Sequence, residues 1–328
     1  MFGRIFFFSC LLLGCMLVRA QQVSHNKTKV IFDSDMGPDY DDVGAITLLH
    51  AFADEGKATI LATMASTKYE GVAAVLNVFN TYFKRPGIPI GVPKGNAVDE
   101  KDWQHWTDTL LKKYPHRIKT NAEVPDAVKL YRKILSSQPD HSVTIVTVGF
   151  LTNLGNLINS SGDEYSSYSG RELIRRKVKQ LVSMAGRFPE GKEFNVFKDA
   201  AASKTVFENW PTPVLFSGFE IGMKIFTGLP LTQNKSIHNH PAKDVFSICI
   251  PMSKEDSYGR KSWDETAVLV AIEGYKNWYQ VKEGQIEIAE DGSNKWDDKK
   301  KGQFHLVENR PVEEVQELIN KLMMHQPR

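Results

Sequence analysis

The sequence predicts an α/β protein: a mostly parallel central sheet flanked by helices. Short apolar runs of buried-strand type alternate along the chain with amphipathic helical stretches, and polar, Gly- and Pro-bearing segments separate them. Composition agrees. Over 328 residues the chain is 41% hydrophobic and 24% charged, with 23 Gly and 15 Pro, which excludes a disordered, collagen-like or disulfide-stapled protein. No internal repeat and no Ser- or Pro-rich linker divides it, so residues 21–328 read as a single domain.

The elements follow in order. Lys29-Val30-Ile31-Phe32-Asp33 is short and apolar, hence a strand, and an acidic loop separates it from a helix over 43–53. Strands are then expected at 59–65, 88–92, 143–148, 179–185 and 214–216. Helices are expected at 71–83, 125–135 and from about Asp199. Near the C-terminus, 285–289 and 303–307 read as strands around a polar connection. A helix over 311–323 starts with Pro, whose missing N–H is no loss in a first turn. This last part, about 281–328, is expected as a small strand-strand-helix appendage on the domain.

The first twenty residues have a different purpose. Arg4 precedes an uncharged apolar run, and Val18-Arg19-Ala20 closes with a small residue, the pattern of a secretory signal peptide at 1–20. This predicts a secreted or periplasmic protein; a lipoprotein ending at Cys15 is the lesser alternative. Removing the segment leaves Cys249 alone, so no internal disulfide is expected. It also removes two arginines and no acid from 41 Lys+Arg and 39 Asp+Glu, leaving a neutral chain without the basic clustering that nucleic acid requires. Nothing else approaches the ~18 apolar residues of a spanning helix.

In an open α/β sheet ligands lie beyond the carboxyl ends of the strands. After the first strand comes Asp33-Ser34-Asp35-Met36-Gly37-Pro38-Asp39-Tyr40-Asp41-Asp42, five carboxylates in ten residues. Such crowding calls for protons or a hard divalent cation, Ca²⁺ ahead of Mg²⁺. Helix capping accounts for Asp41 or Asp42 but poorly for Asp33 and Asp35.

Three further blocks stand in order along the chain: Gly149-Phe150-Leu151-Thr152-Asn153 after a strand; Met184-Ala185-Gly186 with Glu193-Phe194-Asn195 and Asp199; and Ser262-Trp263-Asp264-Glu265 at a late helix. Each has an ordinary reading. The first suits a strand-to-helix turn, Glu193 and Asn195 suit loop residues bonding backbone, and Ser262 with Glu265 suits a capping box. Together with the acidic loop, from about residue 29 to 275, the four blocks resemble the nucleoside hydrolases, the inosine/uridine-preferring family.

That resemblance implies Ca²⁺-dependent hydrolysis of the N-glycosidic bond of ribonucleosides, an enzyme with a small-molecule substrate that is often a homo-oligomer. Asp35, Asp42, Asp264 and the carbonyl of Val148 would hold the cation, and Asp41 would deprotonate a water bound to it. Glu193 and Asn195 would hold ribose hydroxyls, with Met184 lining the sugar pocket. Many pyrimidine-accepting members carry His where this chain has Trp263; a Trp there suits stacking of a purine.

There are departures. Five residues, 36–40, separate Asp35 from Asp41 where the family has three, so Asp39 competes with Asp41 for the role of base. The family's Gly-Asn after the second strand is replaced within Ala65-Ser66-Thr67-Lys68, and a further sugar-contacting Asn is missing from 187–192. The sequence also admits two rival readings: a secreted, non-catalytic nucleoside- or sugar-binding protein with structural Ca²⁺, and a phosphatase of the haloacid-dehalogenase class with Asp33 as nucleophile.

Overall fold

The computed structural model describes residues 27–327. The expected signal peptide, with Cys10 and Cys15, lies outside them. Twelve strands appear among the described residues: β1 (Thr28–Ser34), β2 (Ala58–Ala65), β3 (Ile90–Gly91), β4 (Val143–Thr147), β5 (Val178–Met184), β6 (Glu190–Lys192), β7 (Val214–Ser217), β8 (Phe226–Thr227), β9 (Arg260–Lys261), β10 (Tyr279–Ile288), β11 (Ser293–Asp297) and β12 (Gln303–Glu308). Ten of them form one sheet in the order β3-β2-β1-β4-β5-β7-β12-β10-β11-β6, and β8 pairs with β9 alone. From β3 to β12 every pairing is parallel; β10, β11 and β6 extend the sheet antiparallel.

Alternation along β1 builds the two layers, because successive side chains point to opposite faces. Val30 and Phe32 enter one core, with apolar residues of the helices Asp41–Asp54, Val72–Tyr82 and Trp263–Glu273. Ile31 enters the other, with the helices Ala127–Ser136, Thr152–Asn159 and Ala200–Asn209. The chain therefore winds outward in both directions from the β1/β4 pair. Crossovers from β1 through β3 use one face and those from β3 through β7 the other, which opens a crevice at the carboxyl ends of β1 and β4.

The expected elements are present with shifted ends, and the shifts have causes. The first helix begins at Asp41, two residues early, so both acids stand in its first turn. The strand expected over 88–92 shrinks to Ile90–Gly91. Pro89 has no N–H for a ladder, and only its carbonyl is used, by the Thr63 amide at 3.0 Å. The polar connection near the C-terminus contains β11. The C-terminal strands and the helix Val312–Met323 dock on the domain as expected and continue its sheet. β12 pairs directly with β7, and the helix packs on Asp41–Asp54, where His325 Nε2 meets Asp54 Oδ2 at 2.6 Å. Among the described residues no helix is long and apolar enough to cross a membrane.

Beneath the crevice, Asp33 is completely buried. The Tyr131 hydroxyl donates to its Oδ2 at 2.8 Å, and the Asn153 amide donates to both oxygens and to the Ala65 carbonyl. Burial still pushes the Asp33 carboxyl up to about 7. Tyr131→Phe is expected to cost about 1–3 kcal/mol of stability, because a buried acceptor loses a donor. Urea denaturation of the two proteins measures it, and coincident transitions would show that the bond is without net effect.

Candidate active site

At the crevice is a cavity of about 250 Å³. Its wall brings together Asp35, Asp41, Val148, Met184, Glu193, Asn195, Trp263 and Asp264, every residue expected from the sequence except Asp42, which lies buried just behind. Asp39, Phe194, Phe219 and Arg260 complete the lining.

Close approach of the blocks depends on Gly149. A Cβ there would lie 2.4 Å from the Asp35 amide nitrogen and 2.5 Å from Ser66 Oγ, so only glycine lets the loop after β4 touch the loop after β1. Ser66, at a departure from the family pattern, accepts the Phe150 N–H at 3.0 Å. It acts as a brace behind the site. The 187–192 segment is also committed: β6 pairs with β11, and Arg187 exchanges two hydrogen bonds with the Asn294 side chain. The C-terminal hairpin thus holds the loop in which the resemblance implies a sugar-contacting Asn.

The acids are arranged in two layers. Asp42 Oδ1 accepts from Ser34 Oγ at 2.5 Å and from the Met36 N–H at 3.2 Å, while its Oδ2 is buried with no hydrogen-bond partner. Burial, and then the charge of Asp41, push the Asp42 carboxyl up to about 6. Asp35 is raised well above the usual carboxylate range by burial and by its neighbours Asp42 and Asp39. Asp264 is raised likewise, by burial and then Asp41, Asp42, Asp39 and Asp35. In the outer layer Asp39, Asp41 and Asp264 each bring one oxygen to within 4.8 Å of the others.

Asp41 has a further role that the sequence does not show. Its Oδ2 accepts the N–H groups of Trp263 at 3.2 Å and Asp264 at 3.3 Å, capping the helix Trp263–Glu273 from another part of the chain. Ser262, the residue a capping box would use, makes no side-chain cap bond. The Glu265 carboxyl is instead fully buried against Gly44, where a Cβ would fall 1.9 Å from Oε1. Asp41 Oδ1 accepts from Arg260 Nε at 3.0 Å and Nη2 at 2.7 Å, and the same Nη2 lies 2.7 Å from Asp39 Oδ2.

Opposite the acids, Glu193 Oε1 accepts the Asn195 N–H at 2.8 Å, and Oε2 accepts from Gly186 and Val196. Burial raises this carboxyl to about 7 against those bonds. The Asn195 amide donates to the carbonyls of Val148 and Met184, at 3.2 and 3.1 Å, tying β4 to β5. The backbone-bonding and cavity-lining readings of this block therefore both hold. Trp263 Nε1 donates to the Phe219 carbonyl at 2.8 Å, and its ring meets that of Phe219 at 5.1 Å. The guanidinium of Arg260 lies over the rings of both Tyr40 and Trp263.

Sequence reasoning missed Arg260, Phe194 and Phe219. For Arg260 a signal existed: it stands three residues before Trp263, and an acidic cluster of this density needs a cation. Asp39 and Tyr40, two of the five residues between Asp35 and Asp41, contact it beside Asp41 and Trp263. Phe219 follows a strand with no motif around it. Asp33, the nucleophile of the phosphatase alternative, is sealed beneath the cavity by Tyr131 and Asn153 and cannot reach a substrate.

The family profile described as inosine-uridine preferring nucleoside hydrolase matches residues 30–317. An inosine-uridine preferring nucleoside hydrolase of Leishmania major is 26% identical over 263 residues, 75% of this chain and 79% of that one. A pyrimidine-specific ribonucleoside hydrolase, RihA of Salmonella agona (strain SL483), is 30% identical over 210 residues, 60% and 61% of the two chains. Among solved structures, the purine-preferring ribonucleoside hydrolase from Gardnerella vaginalis superposes with a TM-score of 0.70 at 14% identity, covering 90% of this chain and 98% of that one, a likeness of fold. With four motif blocks converging on one cavity, this chain belongs to the inosine-uridine preferring nucleoside hydrolase family, N-glycosyl hydrolases of ribonucleosides.

Proposed function

We propose that this chain is a Ca²⁺-dependent, purine-leaning nucleoside hydrolase in which Asp41 is the base. The supporting observation is the buried set of Asp35, Asp42 and Asp264, drawn from two distant segments, with the orphaned Asp42 Oδ2 among them. These three hard carboxylates, with the carbonyl of Val148, which lines the same cavity as Asp35 and Asp264, suit an oxygen-seeking divalent cation. Bound there, the cation supplies the positive charge that makes a water acidic enough to lose its proton near neutral pH.

The protein's own groups do the rest. Asp41 takes a proton from the water as its oxygen attacks the anomeric carbon and the base departs with the bonding electron pair. Positive charge builds on the ribose ring as that bond breaks. Anionic and carbonyl oxygens fixed around the cavity stabilise this charge more than they stabilise the ground state. Glu193 and Asn195, rigid through their backbone bonds, are placed to hold ribose hydroxyls; Met184 lines the sugar side. Trp263, fixed by its bond to Phe219, offers the base an aromatic wall. The names of the relatives span purine and pyrimidine substrates, so the purine lean rests on Trp263. The segment 1–20 is proposed to direct export, and N-terminal sequencing of the mature protein tests it.

Chromatographic detection of free base from inosine, adenosine, guanosine and uridine, with and without chelator, tests the reading as a whole. Base release abolished by chelator and restored by Ca²⁺ is expected. Asp41→Asn should lower kcat by about 100-fold or more while Ca²⁺ and ligand still bind by calorimetry; an unchanged rate removes Asp41 from the base role. Trp263→Ala should weaken purine substrates more than uridine, and equal losses would refute stacking.

The raised carboxyls give a pH signature. A carboxyl lifted from 3.8 to about 6, as for Asp42, binds more protons folded than unfolded between those values. The cation-free protein therefore loses stability as pH rises through that window. A bound cation replaces the protons, so the increase in Tm on adding Ca²⁺ should be larger at about pH 7.5 than at about pH 5. A pH-independent increase would place the ion away from these acids.

A further inference from the structure

Breaking an N-glycosidic bond leaves an electron pair on a base nitrogen, and a positioned N–H donor or acid lowers the barrier to its departure. Asp41, Asp35, Asp39 and Asp264 are on the wrong side of that need, since they accept. Among the cavity-lining side chains the donors are few. The Trp263 N–H is committed to the Phe219 carbonyl, and the Asn195 amide is committed to Val148 and Met184. Both oxygens of Glu193 accept backbone N–H groups. Among the described residues no His, Lys or Tyr lines the cavity.

Arg260 differs. Its Nε and Nη2 are spent on Asp41 and Asp39, but Nη1 makes no hydrogen bond within the described chain and is not sealed from solvent. The guanidinium plane is fixed by Tyr40 on one contact, 4.9 Å from the ring centre, and Trp263 on another, 5.1 Å away. The side chain is 13% exposed. A planar, permanently charged fork, pinned along one edge by carboxylates, thus keeps one nitrogen uncommitted beside the proposed aromatic wall.

We propose that Arg260 is a catalytic residue for the leaving group, donating from Nη1 to the departing base. This rests on the hydrolase reading above. As the water oxygen bonds to the anomeric carbon, its proton passes to Asp41, the carbon–nitrogen bond breaks, and the electron pair goes to the base. Arg260 stabilises the negative charge on the base by hydrogen bonding without giving up a proton. The base then takes a proton from solvent, and Asp41 returns one. The same movement of charge accounts for the insertion: Asp39 keeps the guanidinium beside the cavity when Asp41 changes protonation state.

The test compares inosine with 4-nitrophenyl β-D-ribofuranoside, whose leaving group needs no such help, in the wild-type protein and in Arg260→Lys and Arg260→Met, all with saturating Ca²⁺. The ratio of the two rates is independent of the fraction folded. Both variants share a loss on the two substrates through the contact of Arg260 with Asp41, and kcat on inosine should fall about 30-fold or more further than kcat on the nitrophenyl riboside. Parallel losses on the two substrates, or none on either, would overturn the proposal and leave Arg260 as a structural counter-ion. If the wild-type protein cleaves neither substrate, the hydrolase reading fails first and the role of Arg260 fails with it.

Discussion

Mutual repulsion among buried carboxylates is the constraint around which this molecule is arranged. Asp35, Asp41, Asp42 and Asp264 are almost wholly removed from water, in surroundings where like charges interact far more strongly than in solvent. Three features oppose that repulsion without a cation. The helices Asp41–Asp54 and Trp263–Glu273 start at the same point, so the positive ends of both dipoles face the acids. Backbone N–H groups of Met36, Trp263 and Asp264 donate to carboxylate oxygens. Among the described residues, Arg260 supplies the one full positive charge lining the cavity.

Holding such a cluster together requires a stiff frame, and much of the polar detail around the cavity serves that end. Asn153 binds Asp33 and the Ala65 carbonyl, joining the ends of β1 and β2; Asn195 joins β4 to β5; Asn294 and β11 hold the loop after β5. These bonds run between segments distant in sequence, and each satisfies groups that burial would otherwise leave costly. The C-terminal strands, by joining the sheet at β7, bring the hairpin to the loop it braces. Residues that look like sugar ligands and residues that look like struts are in part the same residues, because a ligand-binding oxygen must itself be immobilised to be selective.

Much of the fold was legible because strands buried on both faces must be apolar throughout, and helices on such a sheet must carry an apolar stripe. The ends were less so. Asp41 and Asp42 read as loop residues yet lie in the first turn of a helix, since an acid is favourable there for the same electrostatic reason that makes it visible as an acid cluster. The strand β11 was hidden by polar composition: only Asn294 and Trp296 turn inward, and the turn before it uses Gly292 at positive φ. The family match bears out the resemblance carried by the four blocks, and all but one of the residues named from them line a single cavity.

The sequence by itself determined the α/β class, the acidic strand end and the presence of blocks that belong together. These depend on local periodicity and on residue chemistry, both of which are written along the chain. Only the tertiary structure decided that Asp41 caps a helix more than two hundred residues away, that Ser262 does not, and that Arg260 lies against Asp39 and Tyr40. Those pairings depend on which strand ends the sheet order makes neighbours, and a hydrogen bond across 222 positions leaves no periodic trace in the residues that separate its partners.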